Sequence, residues 1–136
     1  MNSFEKPTES KGINLDRNVP FESGIEYNPE HYYRMIGEDG YDDFLDTGII
    51  QAAQDTKQEY EQAYFFKGCP INRYARNGCR VQYFVEAKPQ DDLFASHEGG
   101  YPFATRPVSA ADQIKIYRHS VSDGAEVVFD SFKEAS

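Results

Sequence analysis

The sequence contains no tryptophan, two cysteines and no long apolar run in its 136 residues. No stretch approaches the roughly 18–20 apolar residues that cross a bilayer, so we expect no membrane-spanning segment. The opening MNSFEKPTES has no apolar core, so we expect no secretory signal. Cys69 and Cys79 have no further ligands at metal spacing, which favours free thiols and no metal site. A disulfide between them stays open.

Standard catalytic signatures are absent as well. The sequence has no phosphate-binding glycine loop before a lysine, no nucleophile elbow, no paired-histidine metal helix and no EF-hand loop. His31, His97 and His119 lie far apart, without a carboxylate or cysteine at ligand spacing. We therefore expect surface or loop histidines rather than metal ligands or catalytic bases.

Acidic residues dominate the charge. The formal net charge is -9 and the isoelectric point is near 4.7. Such a surface repels phosphate backbones, which makes nucleic acid a less favoured partner, and it suits a basic protein partner or target. Phenylalanine and tyrosine make up 15% of the chain, enough to supply a core.

The chain divides into a polar lead and one domain. Residues 1–25 are mostly polar, with prolines and glycines scattered among them, and their apolar residues show no periodicity. This predicts a flexible N-terminal lead that can lie over the domain without folding. Residues 26–136 have the length and patterning of a single domain.

Periodicity predicts short helices among strands. We expect strands near residues 32–36, 63–67, 79–87, 114–118 and 126–130, and a short one at 49–52. We expect helical turns at 38–47, 71–76 and 109–112, and a long loop at 88–107. Strands dominate the second half, so the predicted fold class is α+β: a mostly antiparallel or mixed sheet with two or three short helices.

Three residues within predicted strands have both a structural and a functional interpretation. Arg34 sits in mid-strand, where a half-buried guanidinium needs an anion: a structural carboxylate, or a ligand phosphate gripped bidentately. Tyr64 is either core packing or an aromatic platform for a ligand ring, with Gly68 letting that ligand approach the backbone. Glu86 is either a catalytic carboxylate or half of an exposed cross-strand pair.

Several segments, in order, resemble a small ADP-ribosyltransferase-type domain, similar to C-terminal toxin domains of Rhs-type polymorphic toxins. His31-Tyr32-Tyr33-Arg34-Met35 and the helix ending in Leu45-Asp46-Thr47-Gly48-Ile49 are similar to the family's first strand and helix. Ala63-Tyr64-Phe65-Phe66-Lys67-Gly68 and the strand at 81–87 are similar to its central segment. Residues 108–118 are similar to the region where its catalytic glutamate opens a late strand. The resemblance covers most of residues 31–130.

The resemblance implies an NAD-dependent transferase that modifies a macromolecular target. It implies that Arg34 holds the pyrophosphate or ribose of NAD and that Tyr64 lies near the nicotinamide. The glutamate position carries Asp112-Gln113 here, and a glutamine cannot supply negative charge. Asp112 or Glu86 then takes that role, or the chain is an inactive copy that only binds. The implied location is the cytoplasm, or the cytoplasm of a target cell into which the domain is delivered.

A protein with no catalytic activity is the competing interpretation. A short acidic domain suits an inhibitor or adaptor that covers a basic surface of a partner protein, using its acidic helix and its 88–107 loop. A structural or regulatory domain without a ligand is a third interpretation.

Overall fold

A computed structural model describes residues 19–50, 64–72, 81–96 and 101–133. Of these residues, 45% lie in strands and 12% in a helix. The strands are β1 (Val19–Pro20), β2 (Tyr32–Met35), β3 (Ile49–Ile50), β4 (Phe66–Lys67), β5 (Ile71–Asn72), β6 (Val81–Ala87), β7 (Phe94–Ser96), β8 (Pro102–Ala104), β9 (Val108–Ser109), β10 (Ile114–Ser120) and β11 (Gly124–Asp130), and the helix is α1 (Gly37–Thr47).

A five-stranded antiparallel sheet organises the domain. Its order is β11-β10-β6-β2-β4, so β6 lies at the centre with β10 on one side and β2 on the other. Three short antiparallel ladders surround it, formed by β1 with β5, β3 with β9, and β7 with β8. At the β11 edge the register shifts between Ile116 and Tyr117, which leaves Val128 as a bulge.

Alternation along β6 divides the sheet into two buried faces. Val85 and Ala87 lie on the helix face, which packs against Phe44 of α1 and the residues of β3, β9 and β10 that point the same way. Phe84 points to the opposite face, where it packs with Tyr33, Tyr117 and Phe21. Residues 20–30 cover that second face, and we call them the covering segment and their side of the sheet the covered face.

The covering segment overlaps the predicted lead. Residues 1–18 lie outside the described residues, whereas residues 19–25 run along the sheet with Phe21 only 7% exposed. Phe21 packs edge-on against Phe84, and its N–H donates to the Pro70 carbonyl at 2.9 Å. The part of the predicted lead that the structure describes is therefore packed on the domain.

Helix α1 forms where it was predicted. Acidic residues occupy its first turn, where the helix dipole stabilises them, and Gly48 ends it in the left-handed conformation, with its N–H donating to the Phe44 carbonyl at 2.7 Å. Phe44 is buried, whereas the neighbouring Leu45 is 61% exposed. No helix within the described ranges is long and apolar enough to cross a membrane.

The predicted α+β class with two or three short helices is wrong: the described residues are mostly antiparallel sheet, and α1 is the one helix among them. Ile71 pairs with Pro20, so the predicted helix at 71–76 begins as strand β5; residues 73–76 lie outside the described part. At 109–112 the capping bonds form, with Ser109 N–H donating to Asp112 Oδ2 at 2.9 Å. No helix follows them, because the chain enters β10, where Ile114 and Ile116 are fully buried.

Two predicted regions have different bounds in the structure. The expected strand at 63–67 is reduced to β4 and a single bridge between Tyr64 and Phe103. The expected 88–107 loop contains the β7–β8 ladder, in which Phe94 pairs with Ala104; residues 97–100 lie outside the described part. The two predicted strands at 114–118 and 126–130 are confirmed; both are longer than expected, and they pair as an antiparallel hairpin.

We predict that Phe44→Ala lowers the free energy of unfolding by about 3–5 kcal/mol, because it removes a buried ring that packs on Phe129. The neighbouring exposed Leu45→Ala is the control, and we expect it to stay within about 0.5 kcal/mol of the wild type. Denaturant unfolding followed by circular dichroism measures both. Equal losses of stability in the two variants would contradict the burial of Phe44 against Phe129.

Candidate functional site

The structure brings Arg34 and Tyr64 together. Arg34 lies in β2 directly opposite Val85, so its side chain leaves the sheet on the helix face. Its Nη1 donates to the Tyr64 carbonyl at 2.8 Å. Thirty residues separate the two in sequence, and the contact places the strand arginine beside the segment that enters β4.

Two aromatic pairs involve the segment that enters β4. The Tyr64 ring lies 6.1 Å from the Phe103 ring, and the Phe66 ring lies 4.8 Å from the Tyr101 ring. Tyr64 is half-buried, and Tyr101 is 45% exposed. The region therefore combines a cation fixed in a strand with partly accessible aromatic surface.

Gly68 has a conformational role next to this region. Its φ is 98°, a positive value that residues other than glycine rarely adopt. Its N–H donates to the His31 carbonyl at 2.9 Å, which ties the end of β4 to the start of β2. A Cβ at this position would meet the Pro29 carbonyl oxygen at 3.8 Å, an ordinary contact, so the backbone angle rather than lack of space favours glycine.

Glu86 lies on the other side of the sheet from Arg34. It pairs with Tyr33 across β2, whereas Arg34 pairs with Val85, so Glu86 projects from the covered face. Glu86 is only 7% exposed. It therefore neither lines an open cleft nor belongs to an exposed cross-strand pair. The structure does not bring Glu86 to the Arg34 and Tyr64 contact.

Three side chains surround the Glu86 carboxylate. Oε2 contacts His31 Nδ1 at 2.5 Å and accepts from the Tyr33 hydroxyl at 3.0 Å, and Oε1 accepts from the Tyr117 hydroxyl at 2.6 Å. The Tyr33 hydroxyl in turn accepts from the Asn28 N–H at 2.8 Å. We call Glu86, His31, Tyr33 and Tyr117 the carboxylate cluster.

Burial keeps both tyrosines of the cluster protonated. Desolvation raises the pKa of Tyr33 and of Tyr117 far above the usual tyrosine value, and the nearby Glu86 carboxylate raises each further. Both hydroxyls therefore act as donors to Glu86 over the physiological pH range. A buried carboxylate needs such donors, since leaving it without them is costly.

Asp112 and Gln113 lie where β10 opens. Arg106 grips Asp112 with both terminal nitrogens, Nη2 to Oδ1 at 2.8 Å and Nη1 to Oδ2 at 3.1 Å. Burial of Asp112 opposes its ionisation, but the hydrogen bonds from Arg106 and from the Ser109 N–H outweigh it and lower the pKa of Asp112. The Gln113 side chain accepts from the Lys133 N–H at 3.1 Å. These contacts hold both residues in the turn before β10 and do not run to Arg34.

His31, Tyr33 and Tyr117 were missed as polar partners of a buried acid. His31 lies in the loop before β2, as expected, but its side chain is only 14% exposed. The sequence holds a weak signal, since His31 and Tyr33 are two residues apart at the start of a strand and share a face. Their partner lies 53 and 55 residues away, and that pairing is visible only in the fold.

Within the described residues, no three histidine, cysteine, aspartate or glutamate side chains are grouped to hold a metal ion. Cys69 is a free, half-buried thiol, and burial raises its pKa. Cys79 lies outside the described ranges. Comparison of the chain with protein-family models, curated proteins and solved structures gives no match.

We predict that Asp112→Asn lowers the free energy of unfolding by about 1–3 kcal/mol at neutral pH, since it weakens the Arg106 pair and the Ser109 contact. Because the pKa of Asp112 is lower in the folded chain, its contribution is present above the unfolded value of about 3.9 and is lost as pH falls below it. The difference from wild type should therefore shrink toward about pH 3. Denaturant titrations across that range test this, and a difference independent of pH would contradict it.

Proposed function

We propose that this chain is an ADP-ribosyltransferase-like protein that binds NAD on the helix face, beside β2 and β4, and modifies a macromolecular target. The hydrogen bond between Arg34 and the Tyr64 carbonyl carries the proposal. It joins the two residues that the family resemblance gives to the NAD phosphates and the nicotinamide. Nothing in the local sequence pattern requires these two residues to meet.

The chemistry of Arg34 suits this role. A guanidinium has five N–H donors in a rigid plane, and a bond to a fixed carbonyl orients that plane. A planar donor fork matches the oxygens of a pyrophosphate bidentately. Tyr64 and Phe103 offer ring surface for a flat base such as nicotinamide.

NAD supplies the ADP-ribosyl group, whose bond to nicotinamide breaks during transfer. Positive charge then builds on the ribose, and a carboxylate stabilises it electrostatically. Asp112 is the better candidate for this carboxylate because it lies where the late strand opens. Glu86 is disfavoured, since it projects from the opposite face with three side chains around its oxygens.

We predict that Arg34→Ala weakens NAD binding by roughly 10–100-fold, the loss expected for hydrogen bonds to a charged group. Calorimetric titration of the purified chain with NAD measures the affinity, and circular dichroism checks the fold. Arg118→Ala is the matched control, because Arg118 also lies mid-strand on the helix face, opposite Tyr83, and pairs with Glu126 at 3.8 Å. We expect the control to bind NAD as the wild type does.

Two results would contradict the assignment of Arg34. Unchanged NAD affinity in Arg34→Ala would show that the arginine does not touch the ligand. Unfolding of Arg34→Ala would show that its bond to the Tyr64 carbonyl is structural, and Arg34→Lys, which keeps the charge, would then separate fold from binding.

The exposed face of α1 favours a second candidate, the non-enzymatic inhibitor or adaptor. Asp39, Asp42 and Asp46 are exposed there, and Leu45 is 61% exposed among them. Acidic groups around an apolar side chain suit a basic protein surface. No NAD binding in the wild type, together with salt-sensitive binding of a basic protein that Asp42→Asn/Asp46→Asn weakens, would favour this candidate.

A further inference from the structure

A basic corner interrupts the acidic surface at one end of the covered face. Lys88 follows β6 and Lys115 lies in β10, directly opposite Glu86. His31 precedes β2 and belongs to the carboxylate cluster. All three side chains converge on the ring of Phe132, which follows β11 and folds back over this end of the sheet.

Strand register explains why these residues meet. Lys115, Glu86 and Tyr33 form one row across β10, β6 and β2, and they share the covered face. Lys88 lies two residues beyond Glu86 and His31 two residues before Tyr33, so alternation returns both to the same face. The basic corner is therefore set by the central sheet.

The two ammonium groups contact the same ring. Lys88 Nζ is 4.8 Å from the Phe132 ring centroid and Lys115 Nζ is 4.7 Å from it, so their separation is at most 9.5 Å. In the described part of the chain, no carboxylate oxygen lies within 4.0 Å of either ammonium group. Asp130 pairs with Lys115 in the ladder, but its Oδ1 accepts from the Phe132 N–H at 2.9 Å.

Two cations around one ring repel each other, and each contact with the ring contributes only about 0.5–1 kcal/mol at an exposed site. A bound anion would offset that repulsion. Lys88 Nζ also donates to the Lys133 carbonyl at 3.2 Å, which fixes one ammonium group without neutralising it.

His31 completes the corner. Its Nδ1 contacts Glu86, which fixes the orientation of the ring, and its edge lies near Phe132, with the two centroids 5.7 Å apart. Glu86 thus positions His31 through a buried contact. The hydroxyls of Tyr33 and Tyr117 donate hydrogen bonds to the same carboxylate.

We propose that Lys88 and Lys115 form a binding site for the phosphate group of a small phosphate monoester. Two ammonium groups match the two charges of the monoester phosphate, and lysine binds phosphate as a point charge. Phe132 stands beside the site as a ring for the organic part of the ligand. The site lies on the opposite face of the sheet from Arg34 and does not depend on the proposed transferase activity.

The test is a titration of the full chain with two probes, inorganic phosphate and adenosine monophosphate, at low salt and followed by NMR. We expect both to shift the backbone signals of β10 and of residues 88 and 131–133. Tighter binding of adenosine monophosphate would assign the site to a ring-bearing monoester, and equal affinity would assign it to the phosphate alone. Failure of both probes to bind would overturn the proposal.

Variants make the test specific. Lys88→Gln and Lys115→Gln should each weaken phosphate binding about tenfold, the effect of losing one charge-assisted contact, and Lys88→Arg should restore it. Lys67→Gln is the matched control, since Lys67 also lies over a ring, 6.0 Å from that of Tyr32, but on the helix face. Equal weakening of phosphate binding in Lys67→Gln would show that the effect follows the net charge of the protein, and it would overturn the proposed site.

Arg34→Ala separates this site from the proposed NAD site. We expect it to bind phosphate as the wild type does, because Arg34 leaves the sheet on the other face. Loss of phosphate binding in Arg34→Ala, with binding retained in Lys88→Gln, would place the anion at Arg34 and overturn the proposal.

Discussion

Antiparallel pairing of β6 with both β2 and β10 is the constraint on which the rest of the structure depends. Phe84, Val85 and Ala87 are fully buried, so both faces of β6 lie within hydrophobic clusters. Side chains alternate along a strand, and a shift of one residue would exchange the two faces. Burial on both sides therefore fixes the register, and the register decides which functional groups can meet.

That register keeps two polar groups of opposite charge apart. Arg34 and Glu86 come from neighbouring strands, yet they project from opposite faces of the sheet. Each has its own partners: a backbone carbonyl for Arg34, and the hydroxyls of Tyr33 and Tyr117 with the His31 ring for Glu86. A sheet buried on both sides can thus carry two separate polar sites within a small domain.

Local patterns predicted the elements whose signals are contained within a few residues. Helix α1, with its acidic first turn and Gly48 end, is one case, and the alternation of β6 is another. The prediction was wrong where a distant segment decided the outcome: Ile71 pairs with Pro20 and joins a strand instead of a helix. At Ser109 the capping bonds formed without a helix, because burial of Ile114 and Ile116 in the sheet outweighed the local signal.

The same division holds for the candidate site. Their positions in predicted strands and the family resemblance singled out Arg34 and Tyr64 individually, but their contact depends on how β2 lies against the segment before β4. The partners of Glu86 could not be predicted, because they come from the start of β2 and from β10, far from Glu86 in sequence. The sequence shows which residues could bind a ligand or act in catalysis, whereas the pairing of strands decides which of them become neighbours.

The bulge at Val128 has a consequence for self-association. Strand β11 closes one edge of the central sheet, and an open, regular edge offers unpaired backbone groups to another chain. The extra residue twists this edge, and the exposed Glu126 and Asp130 add charge along it. An approaching strand would meet an irregular and negatively charged ladder, which disfavours pairing with a second chain at this edge.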